Sequence, residues 1–123
     1  MISHKSNRDA EARFRQAKAE AKAVMLACAA CGEIITYGEL VAQIVAIRLI
    51  PNSSLLARIL TEISMVDLDP RQGILAAVVV RKDIGIPGSG FFKIIDFVGR
   101  STADRRHRWT RELERAHQRW SAT

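Results

Sequence analysis

Residues 32–92 constrain the fold most, because apolar runs alternate there with strong turn signals. The β-branched letters of "EIITY" predict a short strand. Apolar residues then recur at helical spacing, and Glu39 would lie in the first turn of a helix, where a carboxylate is favourable. Pro51 removes a backbone donor and disfavours helix in the residue before it. The sequence therefore predicts a helix that begins at residues 36–37 and ends near Ile50.

A second helix is predicted for residues 54–66, capped by one of the two serines at its start. Its apolar stripe would be buried, with Arg58 near the exposed face. The run "ILAAVVV" that follows is the strongest strand signal in the chain and leads to Arg81, Lys82 and the loop "GIPGSG". Strand, two helices, then a strand with a glycine-rich turn is the order of a winged-helix domain, whose second helix lies along a duplex groove.

Long helices are predicted on both sides of this core. Residues 7–31 are rich in good helix formers and stop at Gly32, behind a flexible segment 1–8. A basic helix is predicted for residues 101–120. Residues 91–98 fit a short helix capped by Ser89, with a strand as the alternative.

The predicted fold class is therefore α+β. We expect a single domain over residues 1–123, with a winged-helix-like core, a small antiparallel β-sheet and long N- and C-terminal helices.

The charge balance points to a polyanionic partner. Nineteen Lys and Arg against thirteen Asp and Glu give a formal net charge of +6. Such an excess favours nucleic acid, since phosphate contacts release counterions, although a basic protein can also be merely soluble. The candidate nucleic-acid contacts are Tyr37, Arg58, Arg81, Lys82, Ser89, Lys93, Arg100 and Arg105.

Other classes of function have weaker signals. The polar N-terminus and short apolar runs predict a cytoplasmic protein with no membrane partner. Cys28 and Cys31 form a C-x-x-C pair at a helix end, which favours structural thiols over a redox or zinc site. No cofactor, metal site or catalytic residue is predicted.

The central segment resembles the DNA-binding domain of the alkylguanine DNA alkyltransferases and alkyltransferase-like proteins. The family's Thr-Tyr-Gly and following acidic residue match residues 36–39, and its Ala-Arg on the recognition helix matches Ala57 and Arg58. The resemblance implies DNA binding, with Tyr37 at a phosphate and Arg58 as a finger that enters the base stack.

The family's catalytic residues are absent from this chain. Its Pro-Cys-His-Arg run falls on residues 74–77, where Leu75 replaces the cysteine and Ala76 the histidine. Alkyl transfer needs an activated thiolate, so the resemblance implies binding without this chemistry.

Two other functions compete with DNA binding. The outer helices could form a protein interface or a homodimer, with Trp109 and Trp120 as its anchors. The chain could also be an accessory subunit, nuclease-associated or of phage type, whose catalytic partner is another chain.

Overall fold

The computed structural model describes residues 2–66, 72–99 and 101–121. The elements, in chain order, are helix α1 (Ile2–Ala30), strand β1 (Ile35–Thr36), helices α2 (Tyr37–Ala42) and α3 (Ser54–Val66), a 3-10 helix (Leu75–Val78), strand β2 (Val79–Val80), and helices α4 (Ser89–Ile94) and α5 (Thr102–Arg119). The fold is mostly helical with one small sheet, which agrees with the predicted α+β class.

Helix α1 is longer than predicted at its start and ends where predicted. It begins at Ile2 rather than near residue 7, and no glycine or proline interrupts the chain between Ile2 and Gly32. Gly32 has φ +70°, and the Glu33 nitrogen donates to the Cys28 carbonyl at 2.8 Å. This is a glycine C-cap of the Schellman type, so the C-x-x-C pair lies in the last turn.

Helix α2 is much shorter than the predicted helix. Its start follows the sequence: the Thr36 side chain accepts from the Glu39 nitrogen at 3.1 Å, and the Glu39 side chain accepts from the Thr36 nitrogen at 3.1 Å. It ends at Ala42 rather than Ile50. The Glu20 carboxylate of α1 accepts from the Ala46 nitrogen at 2.9 Å, so a contact between distant segments takes the place of an intrahelical hydrogen bond.

The predicted antiparallel sheet is wrong. Strands β1 and β2 are parallel, with Ile35 opposite Val79 and Thr36 opposite Val80. The antiparallel partner of β2 would have to come from residues 81–86, but that segment closes into a turn in which the Arg81 nitrogen donates to the Ile86 carbonyl at 2.8 Å. Because two helices connect β1 to β2, the parallel direction is available.

Most of the predicted "ILAAVVV" strand is a 3-10 helix. Its seven residues are all buried, so the run has no polar face to set a period of two. Its position is held by α5: the Trp109 indole Nε1 donates to the Ala77 carbonyl at 2.7 Å. Gly73, just before the 3-10 helix, has φ +93°, and a Cβ there would lie 2.5 Å from the Ala116 nitrogen.

The last two helices follow the predicted order with corrected ends. Helix α4 starts at Ser89 with Gly88 as its N-cap, so Ser89 is not the cap. The helix stops early because Asp96 adopts φ +52° and the Phe97 nitrogen donates to the Phe92 carbonyl at 2.9 Å. Helix α5 is capped by Ser101, whose hydroxyl accepts from the Asp104 nitrogen at 3.1 Å.

Candidate functional site

Helix α3 separates two grooves. The first, groove A, has a volume of about 680 Å³ and lies between the start of α2, α3, the turn after β2 and the start of α4. It is lined by Thr36, Tyr37, Gly38, Pro51, Asn52, Ser53, Leu56, Ala57, Leu60, Thr61, Ala76, Arg81, Lys82, Asp83, Gly88, Ser89, Gly90, Phe91 and Ile94.

Groove A has an apolar floor and a polar rim. Leu56, Leu60 and Phe91 are buried at its base. Exposed Asn52 and Ser89 lie on its edge. A concave surface of this kind can hold a flat apolar body and orient it with a few polar groups.

Tyr37 joins two walls of groove A. Its hydroxyl oxygen accepts a hydrogen bond from the Gly88 nitrogen at 2.9 Å, so it ties the start of α2 to the N-cap of α4. Burial raises the pKa of this phenol, and the Gly88 hydrogen bond and the charge of Arg81 oppose that rise. The hydroxyl therefore keeps its proton at neutral pH and can donate it to an anion in the groove.

The basic edge of groove A contains one paired arginine. Arg81 donates to both carboxylate oxygens of Asp83, at 3.0 and 2.6 Å. Hydrogen bonding from Arg81 lowers the pKa of the Asp83 carboxyl. Lys82 is exposed beside this pair on the same edge. An incoming phosphate would compete with Asp83 for the Arg81 guanidinium.

Arg58 lies on the other side of α3. Leu56, Ala57, Leu60 and Thr61 face groove A, whereas Leu55, Arg58 and Glu62 face a second groove. With 3.6 residues per turn, these two sets point in opposite directions. Arg58 therefore lines a different groove from Arg81 and Lys82, and it cannot serve as a finger into groove A.

The second groove, groove B, has a volume of about 750 Å³ between α1, the segment after α2, and α3. It is lined by Ala10, Glu11, Arg13, Phe14, Arg15, Lys18, Ala46, Ile47, Arg48, Leu55, Arg58 and Glu62. The Arg58 guanidinium lies 4.5 Å from the centroid of the Phe14 ring, and its Nε donates to Glu62 at 2.7 Å. Hydrogen bonding from Arg58 and Lys18 lowers the pKa of the Glu62 carboxyl.

The other predicted contacts are dispersed. Lys93 is exposed in the last turn of α4 and does not line groove A. The Arg105 guanidinium lies 5.2 Å from the centroid of the Phe92 ring, so this side chain covers the core. Arg100 lies outside the described residues.

Helix α5 uses several of its arginines to bind its own chain. Arg106 donates to the Ile84 carbonyl at 2.7 Å, and Arg119 donates to the Gly73 carbonyl at 3.1 Å. Arg108 and Arg115 pair with Glu112, whose side chain is fully buried. Arg106 and Arg119 therefore hold α5 against the turn after β2 and against the residue before the 3-10 helix.

The predicted tryptophan anchors have different settings. Trp109 is only 8% exposed, and its indole nitrogen donates a hydrogen bond to the Ala77 carbonyl. It belongs to the core, so the prediction that it anchors an interface is wrong. Trp120 is half-buried and packs against the same core.

Neither the cysteines nor the possible metal-binding side chains form a further candidate site in the described residues. Burial is the main cause that raises the pKa of the Cys28 thiol, which makes it a poor nucleophile at neutral pH. Within residues 2–66, 72–99 and 101–121, no three His, Cys, Asp or Glu side chains are arranged to hold a metal ion. In the same part of the chain, none of the helices combines the length and the apolar character needed to cross a bilayer.

Asp83 and Phe14 were missed by sequence reasoning. The spacing Arg81-Lys82-Asp83 could have suggested the internal ion pair, since a glycine-rich turn follows it. No local sequence pattern could have predicted the contact between the Phe14 ring and Arg58, because the two residues lie on different helices.

Models of protein families, curated proteins and solved structures were compared with this chain, and none matched. The resemblance to the alkyltransferase family thus stays a prediction based on the residues quoted above.

Proposed function

We propose that this protein is a non-enzymatic DNA-binding protein, that groove A is its binding surface, and that duplex DNA is its preferred partner. One observation supports this most: Tyr37, Arg81, Lys82 and Ser89, four of the predicted contacts, line the same groove. Phosphates would lie at the edge formed by Arg81 and Lys82, because guanidinium and ammonium groups supply most phosphate contacts.

The apolar floor supports an unpaired base as the part of the DNA that enters. Leu56, Leu60 and Phe91 offer an apolar surface to the face of a base, and the rim hydroxyls could bond its edge. Within this proposal the turn at residues 81–86 takes the place of a winged-helix wing, carried by a parallel strand pair. Arg58 has no part in it.

Fluorescence anisotropy of a labelled duplex tests the proposal. A fully paired duplex, the same duplex with one unpaired base, and the single strand would be titrated with the protein and with the double variant Arg81→Ala/Lys82→Ala. The matched control is Arg111→Ala/Lys93→Ala, which removes the same charge from exposed positions outside groove A.

We expect the Arg81→Ala/Lys82→Ala variant to bind at least about tenfold more weakly and to lose about two units of the salt slope, whereas the control changes little. The duplex with the unpaired base should bind most tightly. Equal weakening by both double variants would show a general charge effect and would refute groove A as the site.

A further inference from the structure

Groove B differs from groove A in having three exposed arginines around a partly apolar floor. The floor contains Phe14 and Leu55, which are half-buried. Arg13, Arg15 and Arg48 are exposed along its rim. Within the described part of the chain, none of these three side chains forms an ion pair or a side-chain hydrogen bond, so their guanidinium groups are available to a partner.

Lys18, Arg58 and Glu62 of groove B are already paired with one another. Glu62 accepts from Arg58 at 2.7 Å and from Lys18 at 3.3 Å, which ties α3 to α1. Arg58 and Lys18 also lie against the Phe14 ring, at 4.5 and 5.8 Å from its centroid. This network joins the two helical walls of the groove and leaves the outer arginines as the groups available to a partner.

We propose that groove B is the docking site for an acidic amphipathic helix of a partner protein. Such a helix would place its apolar stripe over the Phe14 and Leu55 floor and its carboxylates at Arg13, Arg15 and Arg48. The complementarity of charge selects the partner's chemistry, because carboxylates match the unpaired guanidinium groups.

A nucleic acid fits groove B less well than a peptide does. The Phe14 ring is already in contact with two cations of this chain, so less of it is available for stacking on a base. Glu11 and Glu62 also line the groove and would repel a backbone that carries one negative charge per nucleotide. A peptide can place neutral residues opposite these two carboxylates.

The length of the groove sets the size of the partner segment. The wall contributed by α1 runs from Ala10 to Lys18, about 12 Å at 1.5 Å per residue, which faces about two turns of a helix. A short anchor of this kind is expected to bind with micromolar affinity.

The test uses a labelled 14-residue peptide with leucines at helical spacing on one face and glutamates on the others. Binding to the full chain would be followed by anisotropy, with a second peptide in which serine replaces leucine. The protein variants are Arg13→Glu/Arg48→Glu and, as the matched control, Arg111→Glu/Lys93→Glu, all at exposed positions. Circular dichroism checks that each variant is folded.

We expect saturable binding of the acidic peptide, at least about tenfold weaker binding to Arg13→Glu/Arg48→Glu, and little change in the control. A peptide with lysine in place of glutamate should bind the Arg13→Glu/Arg48→Glu variant better than the native chain, and the serine peptide should not bind. No saturable binding, or equal weakening in both variants, would overturn the proposal. So would displacement of the peptide by an unlabelled single-stranded oligonucleotide, which would assign groove B to nucleic acid.

Discussion

The hydroxyl oxygen of Tyr37 accepts a hydrogen bond from the backbone nitrogen of Gly88 at 2.9 Å and so closes one end of groove A. The fit is close, since a Cβ on residue 88 would lie 3.4 Å from that oxygen. Tyr37 therefore shapes the groove as well as lining it. Its hydroxyl oxygen accepts this bond, and its proton remains available for a ligand.

Removing this hydroxyl should destabilise the fold. Tyr37→Phe would leave the Gly88 N–H without its partner, and we expect the free energy of unfolding to fall by about 1–2 kcal/mol, measured by urea denaturation. Thr61→Ala is the control, because it removes an exposed hydroxyl of groove A that bonds only within α3. Equal losses of unfolding free energy in the two variants would mean that the hydrogen bond from Gly88 to Tyr37 stabilises the fold no more than an exposed hydroxyl does.

Releasing Arg81 should strengthen DNA binding. Asp83→Asn removes the carboxylate that holds the Arg81 guanidinium, so we expect duplex affinity to rise several-fold, on the order of 1 kcal/mol. The control is Asp104→Asn, which removes one exposed carboxylate from the start of α5 and changes the net charge equally. Anisotropy titrations at two salt concentrations measure both. A rise of the same size in the control would assign the effect to net charge alone.

Arg58 should prove dispensable for DNA binding. Because it faces groove B, Arg58→Ala is expected to leave duplex affinity within about twofold, as for a distant charge screened by salt. The same substitution should weaken the tie between α1 and α3, since Arg58 contacts both Glu62 and the Phe14 ring. A tenfold loss of duplex affinity in a folded Arg58→Ala protein would contradict the assignment of groove A.

Gly73 should tolerate no side chain. Its φ of +93° disfavours other residues, and an added Cβ would meet the Ala116 nitrogen at 2.5 Å. We expect Gly73→Ala to lower the free energy of unfolding by about 2–4 kcal/mol or to prevent folding. Gly90→Ala is the matched control: a Cβ there meets nothing within 4 Å, and alanine favours helix by up to about 1 kcal/mol. Thermal unfolding of both proteins gives the comparison.

Stability should fall in acid through three carboxylates. The pKa values of Glu39, Glu62 and Asp83 lie below their ordinary values of 4.5, 4.5 and 3.8, because each carboxylate accepts hydrogen bonds in the folded state. A depressed folded pKa gives stability that is complete above the unfolded value and is lost as the pH falls through the folded value. The urea midpoint should therefore decrease below about pH 5.

Single substitutions can show which carboxylate causes the loss of stability in acid. Glu39→Gln and Glu62→Gln should each flatten the profile between about pH 5 and pH 3 and lower the plateau above it, since the paired charge is gone at every pH. Glu114→Gln, at an exposed position of α5, is the control. An unchanged profile in both test variants would show that these hydrogen bonds do not contribute to folding.

Local signals in the sequence determined the start of α2, the start of α3 and the end of α1. The Thr36 and Glu39 capping box starts α2, Ser53 caps the next helix through the Leu56 nitrogen at 3.0 Å, and Gly32 ends α1. Each of these depends on hydrogen bonds or backbone angles within about one turn of helix. The arrangement of residues along the chain is enough to predict them.

The tertiary structure decided the rest. Glu20 of α1 captures the Ala46 nitrogen after α2 has ended, and the bond from Trp109 to Ala77 holds a buried apolar run as a 3-10 helix. Parallel pairing of the strands likewise depends on segments far apart in the chain. The groove that Arg58 lines is decided by the elements that pack on each face of α3. The sequence of α3 shows which residues share a face of the helix, but it does not show which neighbouring elements lie on that face.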